Sequence, residues 1–247
     1  MSLTHIRANK IILCLFLIGI SLSLPAYAQK KNITGMEKGV LAFYKLSGMN
    51  PHFDKWAKTN LTELYGNNPV PAEIFEQEKL RLQYGLGTYD PEREILKINT
   101  TVLSQHISTN AKTYLASRFP GKAAQKAPYF PYKAGHTWVA VIINNLEDYL
   151  VLELDKEDKQ KISMLMPQHD QSTKLNMELH FRPVSAQSEP IQVDGLKQYP
   201  MLGEIAYLAF KKPALAGQKE DSILWEYFAP WYRSADEQNL LDILEGP

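Results

Sequence analysis

The sequence predicts an α+β fold: N-terminal amphipathic helices followed by a mainly antiparallel sheet of about five or six strands. Three observations carry this expectation. Apolar residues recur with helical spacing before residue 85, they alternate with a period of two in several later runs, and the connections after residue 135 are mostly short.

The first helix is expected from Thr34, which stands with Glu37 at capping-box spacing, while Met36, Val40, Phe43 and Tyr44 share one face up to Gly48. Asn50-Pro51 offers an N-cap with proline at the first helical position, and Phe53, Trp56, Ala57, Leu61, Leu64 and Tyr65 then fall on one face until Gly66-Asn67-Asn68-Pro69. Pro71 opens a third helix, Ala72 to Tyr84, closed by Gly85-Leu86-Gly87. From Glu94 the period becomes two: Leu96, Ile98, Thr100 and Val102 lie on one side of a half-exposed strand, with Lys97, Asn99 and Thr101 on the other.

A helical stretch is expected around Asn110 to Phe119. Pro120 to Gly135 then holds three prolines and no apolar period, which reads as a long loop or an internal boundary at 120–135. His136 to Ile143 is apolar on both faces and suits a central strand, joined through Asn144–Asp148 to Tyr149–Leu154 as a hairpin. Asp155 and Asp158 favour a helix start, with Pro167 as its stop. Leu175, Met177, Leu179 and Phe181 alternate with Asn176, Glu178, His180 and Arg182, which puts His180 on the solvent face of its strand. Strands over Glu204–Phe210 and Ser222–Phe228 and a short helix over Ala235–Leu244 complete the expectation.

Residues 1–28 have the anatomy of a secretory signal peptide. Arg7 and Lys10 precede an apolar run from Ile11 to Leu24, and Pro25-Ala26-Tyr27-Ala28 places small residues for cleavage near Ala28. That run is too short to cross a bilayer, and no second long apolar run follows, so no transmembrane segment is expected in the mature chain. The expected product is a single α+β domain over 29–247, periplasmic or secreted.

Cys14, the one cysteine, lies within the leader, which leaves the mature chain without disulfide, thiol nucleophile or thiolate ligand. The chain balances 27 basic against 27 acidic residues, and losing Arg7 and Lys10 leaves the mature chain slightly acidic. Such a surface lacks the basic footprint that nucleic acid selects, so no nucleic-acid partner is expected.

No G-x-S-x-G elbow, S-x-x-K or H-E-x-x-H occurs, and His52, His106, His136, His169 and His180 are scattered; no metal and no cofactor is expected. Gly85-Leu86-Gly87 lacks the third glycine and the lysine of a phosphate cradle. Asp155, Glu157 and Asp158 lack a calcium loop's glycine and suit a helix start. Glu204 and Glu226 sit inside strand-like apolar runs, where a carboxylate is costly unless it faces water or serves a purpose, so they are the catalytic candidates if the chain is an enzyme.

Aromatic residues concentrate at Tyr129-Phe130-Pro131-Tyr132 and at Trp225, Tyr227, Phe228, Trp231 and Tyr232. Aromatic rings stack on sugars and anchor protein interfaces, so Trp231, Tyr232, Trp225 and Tyr227 are the binding candidates, the last two competing with a role in the core. The functional expectation is an exported, non-catalytic binding or scaffolding protein of the bacterial cell envelope, with an envelope protein or glycan as partner. The alternatives are an extracytoplasmic hydrolase acting on cell-wall or other polymer, using Glu204 or Glu226, and a structural subunit docking through its tail at 235–247.

Overall fold

A computed structural model describes residues 32–109, 112–118, 128–166, 172–193, 195–214 and 220–232. The leader at 1–28, the segment 120–127, Pro167 and the tail helix at Ala235–Leu244 lie outside the described residues. The account below concerns the unit that starts at Thr34.

Thr34 caps α1 (Gly35–Ser47) through the capping box: its hydroxyl accepts from the Glu37 amide at 3.2 Å, and the Glu37 carboxylate accepts from the Thr34 amide at 2.9 Å. Gly48 ends the helix at φ 68°, a left-handed position that favours glycine. Helix α2 (Phe53–Tyr65) begins two residues after the proline expected to start it; His52 is its N-cap and makes no side-chain cap bond. Helix α3 (Ala72–Thr88) passes through Gly85 and Gly87 instead of stopping there, because burial of Leu82 and Gly85 against the other helices outweighs the weak helical preference of glycine. It stops before Asp90-Pro91, where proline excludes a further helical residue.

Among the described residues the nine strands are β1 (Leu96–Thr109), β2 (Lys112–Arg118), β3 (Tyr129–Ala134), β4 (Thr137–Ile143), β5 (Val151–Glu153), β6 (Ser172–Ala186), β7 (Ile191–Val193), β8 (Leu196–Lys212) and β9 (Ser222–Phe228). Between β5 and β6 lies α4 (Lys156–Leu165), capped by Asp155, whose carboxylate accepts from the Asp158 amide at 2.8 Å. The main order is β3-β4-β8-β6-β1-β2-β5, with β7 and β9 also paired to β8. The fold is thus α+β, but the sheet is larger than the expected five or six strands, and it is mixed: β4 runs parallel to β8.

Three local expectations are corrected. Residues 112–118 form a strand, not a helix, with Thr113, Leu115 and Ser117 buried on alternate positions as β2 pairs with β1. Residues 129–134 are β3 rather than loop; Pro131 is tolerated because β3 is an edge strand paired only with β4. No β4–β5 hairpin forms: a 3₁₀ turn at Leu146–Tyr149 leads the chain away, and β5 pairs with β2.

One sheet face carries Ile98, Val102, Leu175, Met177, Leu179, Phe181, Leu208 and Phe210, all buried, with Val40, Phe43, Trp56 and Leu82 from the helices. Close approach of α1 is possible because Gly39 has no side chain: a Cβ there would lie 2.1 Å from the Tyr132 ring. The other face carries the polar alternates of the same strands.

Candidate functional site

Antiparallel register places partnered residues on one face, so the pairings define rows across the polar side. Lys97, His180, Tyr207 and Phe228 form one row; Asn99, Glu178, Ala209 and Glu226 form the next. A bulge between His180 and Phe181 shifts the pairing so that Arg182 meets Glu204. An extra residue in β8 is what brings Glu204 onto the face that carries Tyr207.

His180 is only 7% exposed, which corrects its expected place on the solvent face. The chain after β9 covers it: the Tyr232 hydroxyl is 2.9 Å from Nδ1, and Glu178 is 2.7 Å from Nε2. A carboxylate only accepts, so neutral His180 carries its proton on Nε2, donates to Glu178, and accepts from Tyr232 at Nδ1. Burial holds the imidazole below its ordinary pKa, helped by the charges of Lys97 and Lys211 and opposed by Glu178. Burial alone would raise Glu178, but hydrogen bonds from Lys211 and His180 outweigh it and hold that carboxyl below its usual range. Tyr207 donates to Glu226 at 3.1 Å, and burial followed by the Glu226 charge raises its pKa. Both His180 nitrogens are thus hydrogen-bonded within the protein, which leaves neither free to ligate a metal. The arrangement is a clasp that fastens the segment after β9 to the sheet. Among the described residues, no group of three or more His, Cys, Asp or Glu could hold a metal ion.

The clasped segment forms one wall of a cleft. Strand β4 runs along Tyr199–Gly203 of β8, and β9 runs along Tyr207–Lys212 in the opposite direction, so the C-terminal ends of both converge on residues 204–206. The last bonds on each side are Asn144 N–H to Gly203 O at 2.9 Å and Ala229 N–H to Ala206 O at 2.8 Å. Between them opens a cleft of about 520 Å³, lined chiefly by Asn144, Asn145, Tyr149, Glu204, Tyr227 and Trp231. Crevices at the carboxyl ends of strands are recurrent ligand sites because backbone and loop groups come together there without filling the space.

Tyr149 and Tyr227 stand with ring centroids 5.1 Å apart, and burial together with their hydroxyl contact pushes Tyr149 up to about 12. Trp231 is 37% exposed. The Arg182 guanidinium lies 4.1 Å from the centre of its ring and binds Glu204 at 2.6 Å, so the indole is held by a cation that is itself anchored. Asn145 adopts φ 57°, the only non-glycine residue in the left-handed region among the described residues.

Of the binding candidates, Trp231 and Tyr227 line the cleft. Tyr232 is half-buried and bonded to His180, and Trp225 is half-buried between Tyr149 at 5.9 Å and Phe210 at 6.0 Å. Of the acids, Glu204 lines the cleft, whereas Glu226 is exposed outside the lining and accepts from Tyr207. Sequence reasoning missed Asn144 and Asn145, which read only as turn residues, and Tyr149, which read as the start of a strand. It also passed over the Glu178–His180 pair, whose i, i+2 spacing on a strand was the available signal. No protein-family model, curated protein or solved structure gives a significant match to this chain.

Proposed function

We propose that the chain is exported, released by cleavage near Ala28 into a periplasmic or extracellular space, and acts there as a non-catalytic binding protein of the cell envelope. The observation that supports a binding role is the cleft at the ends of β4 and β9, where Tyr149, Tyr227 and Trp231 are presented with one carboxylate and two exposed amides. Rings held in place supply contact area at low entropic cost, and the convergent polar groups supply orientation. The basic start, apolar run and small-residue end of residues 1–28 support export. Among the described residues, no helix is long and apolar enough to cross a membrane.

The hydrolase alternative draws on Glu204 alone. Cleavage by paired carboxylates needs a second acid across the same space, and Glu226 lies outside the lining. The docking tail at 235–247 lies outside the described residues.

Two measurements test the proposal. Mass spectrometry of the exported chain should find an N-terminus near Gln29; an uncleaved chain retained in the cytoplasm defeats the export half. Purified mature protein should co-sediment with isolated sacculi or envelope membranes, and Trp231→Ala should reduce this several-fold. Sedimentation that is absent, or equal in the variant, defeats the binding half.

A further inference from the structure

We propose that the cleft takes a neutral saccharide, a short run of pyranose rings with one ring against Trp231; this rests on the binding reading above and adds the chemical class of the ligand. The argument is one of charge, shape and donor type. Among the described residues no lysine, arginine or histidine lines the cleft, and the neighbouring Arg182 is engaged by Glu204 and the Trp231 ring, so an anionic ligand such as a phosphate or a carboxylate would find no unpaired cation among them. Glu204, the one carboxylate among the described lining residues, is already paired with Arg182, which removes most of the attraction for a cationic ligand. A wholly apolar ligand would cover the Asn144 and Asn145 side-chain amides without offering them partners. What remains is a ligand neutral in charge, rich in hydroxyls and flat on one side.

A pyranose has those properties, because its axial C–H bonds give one apolar face while its hydroxyls lie around the rim. Trp231 offers the complementary surface and is held in place by Arg182. Glu204 and the two amides are planar groups that can engage neighbouring hydroxyls in pairs, the geometry that favours fork-shaped recognition. Glu204 keeps acceptor capacity beyond its bond to Arg182, since a carboxylate offers about four lone-pair sites. A cleft of about 520 Å³ is large enough for more than one ring and lies within the usual range of small-molecule sites.

The experiment follows the indole N–H signals of ¹⁵N-labelled mature protein, in which four tryptophans give at most four signals. The probes are cellotetraose, the β-1,4 tetramer of N-acetylglucosamine, inorganic phosphate and the capped peptide acetyl-Ala₄-amide. At least one saccharide should shift the Trp231 signal, identified by its loss in Trp231→Phe, with a Kd near or below about 1 mM. Asn145→Gly keeps the left-handed backbone while deleting the amide, and it should weaken saccharide binding about tenfold with an unchanged melting temperature. Tyr84→Ala, at an exposed position on α3, should bind as the wild type does. No shift with either saccharide up to about 10 mM, or a response only to phosphate or to the peptide, overturns the assignment. If envelope co-sedimentation still depends on Trp231 in that case, the binding reading stands and only the saccharide class falls; if both fail, both fall.

Discussion

At the scale of single residues, His180 decides how the face opposite the helices responds to acid. Its folded pKa lies below the ordinary 6.5 because it is buried beside Lys97 and Lys211. In the unfolded chain the imidazole returns to about 6.5, so below that pH the unfolded state binds more protons and stability falls until the folded pKa is passed. Glu178, held below its ordinary 4.5, adds a second loss that begins lower on the pH scale. His136 contributes to the first window as well, since burial and the nearby charges of His52 and Lys55 lower it. Urea unfolding should therefore show lower stability at pH 5.5 than at pH 7.5, and His180→Gln should shrink that difference without abolishing it. A variant whose loss between the two pH values equals that of the wild type would show that His180 is not the group responsible. Tyr232→Phe tests the same clasp from the other side. It leaves Nδ1 without its donor, and the expected cost of about 1 kcal/mol should appear as a lower urea midpoint.

At the scale of elements, the helices are joined to one another by charge and to the sheet by shape. Arg81 on α3 reaches Glu37 on α1 at 2.6 Å and Glu78 on its own helix at 2.7 Å, and all three side chains are largely buried. Asn60 on α2 donates to both carboxylates, at 3.0 Å and 2.7 Å. Replacing Arg81 by Met leaves two neighbouring buried carboxylates without the guanidinium that both of them bind. The expected loss is about 3–5 kcal/mol at neutral pH, measured by chemical denaturation. Gly39→Ala should cost about 1–3 kcal/mol, because its methyl group would enter the Tyr132 ring unless α1 moves away from β3. The sequence showed half of this. The Thr34–Glu37 box is local, three residues apart, and could be read directly; the Glu37–Arg81 pair spans 44 positions and could not. The same division explains the strands. Leu175 to Phe181 alternates over a long run and was plain, whereas Lys112–Arg118 is short and amphipathic by either period, and only its pairing with β1 decides. Trp231 and Glu204 could be named as candidates, but their meeting across one cleft depends on a bulge in the β6–β8 register that no periodicity announces.

At the scale of the whole described unit, β8 organises the architecture. It is 17 residues long, holds β6 along one edge, and shares its other edge between β4 and β9. The cleft is a consequence of that sharing, since two strands whose C-terminal ends meet head to head cannot both continue, and their loops must turn outward. Gly203 marks the junction on the core side, where a Cβ would lie 2.5 Å from Phe181 and 2.9 Å from Ile143. A long shared strand also sets the order in which the sheet opens. Along Leu179–Leu208 the β6–β8 pair is flanked on both sides and packed beneath helices, so its amides are released only when the whole unit unfolds. By contrast, β5 has three residues, lies at the sheet edge and exposes 61% of Val151, so it can detach from β2 while the rest holds. Native-state hydrogen exchange read by NMR should accordingly find the slowest amides in β6 and β8, with free energies equal to that of global unfolding, and clearly faster exchange in β5 and β7. Equal protection of β5 and β6 would mean that the sheet unfolds as one unit. Added saccharide that slows exchange at Asn144–Tyr149 and Ala229–Tyr232 together, while leaving β5 unchanged, would tie the two walls of the cleft to a single ligand.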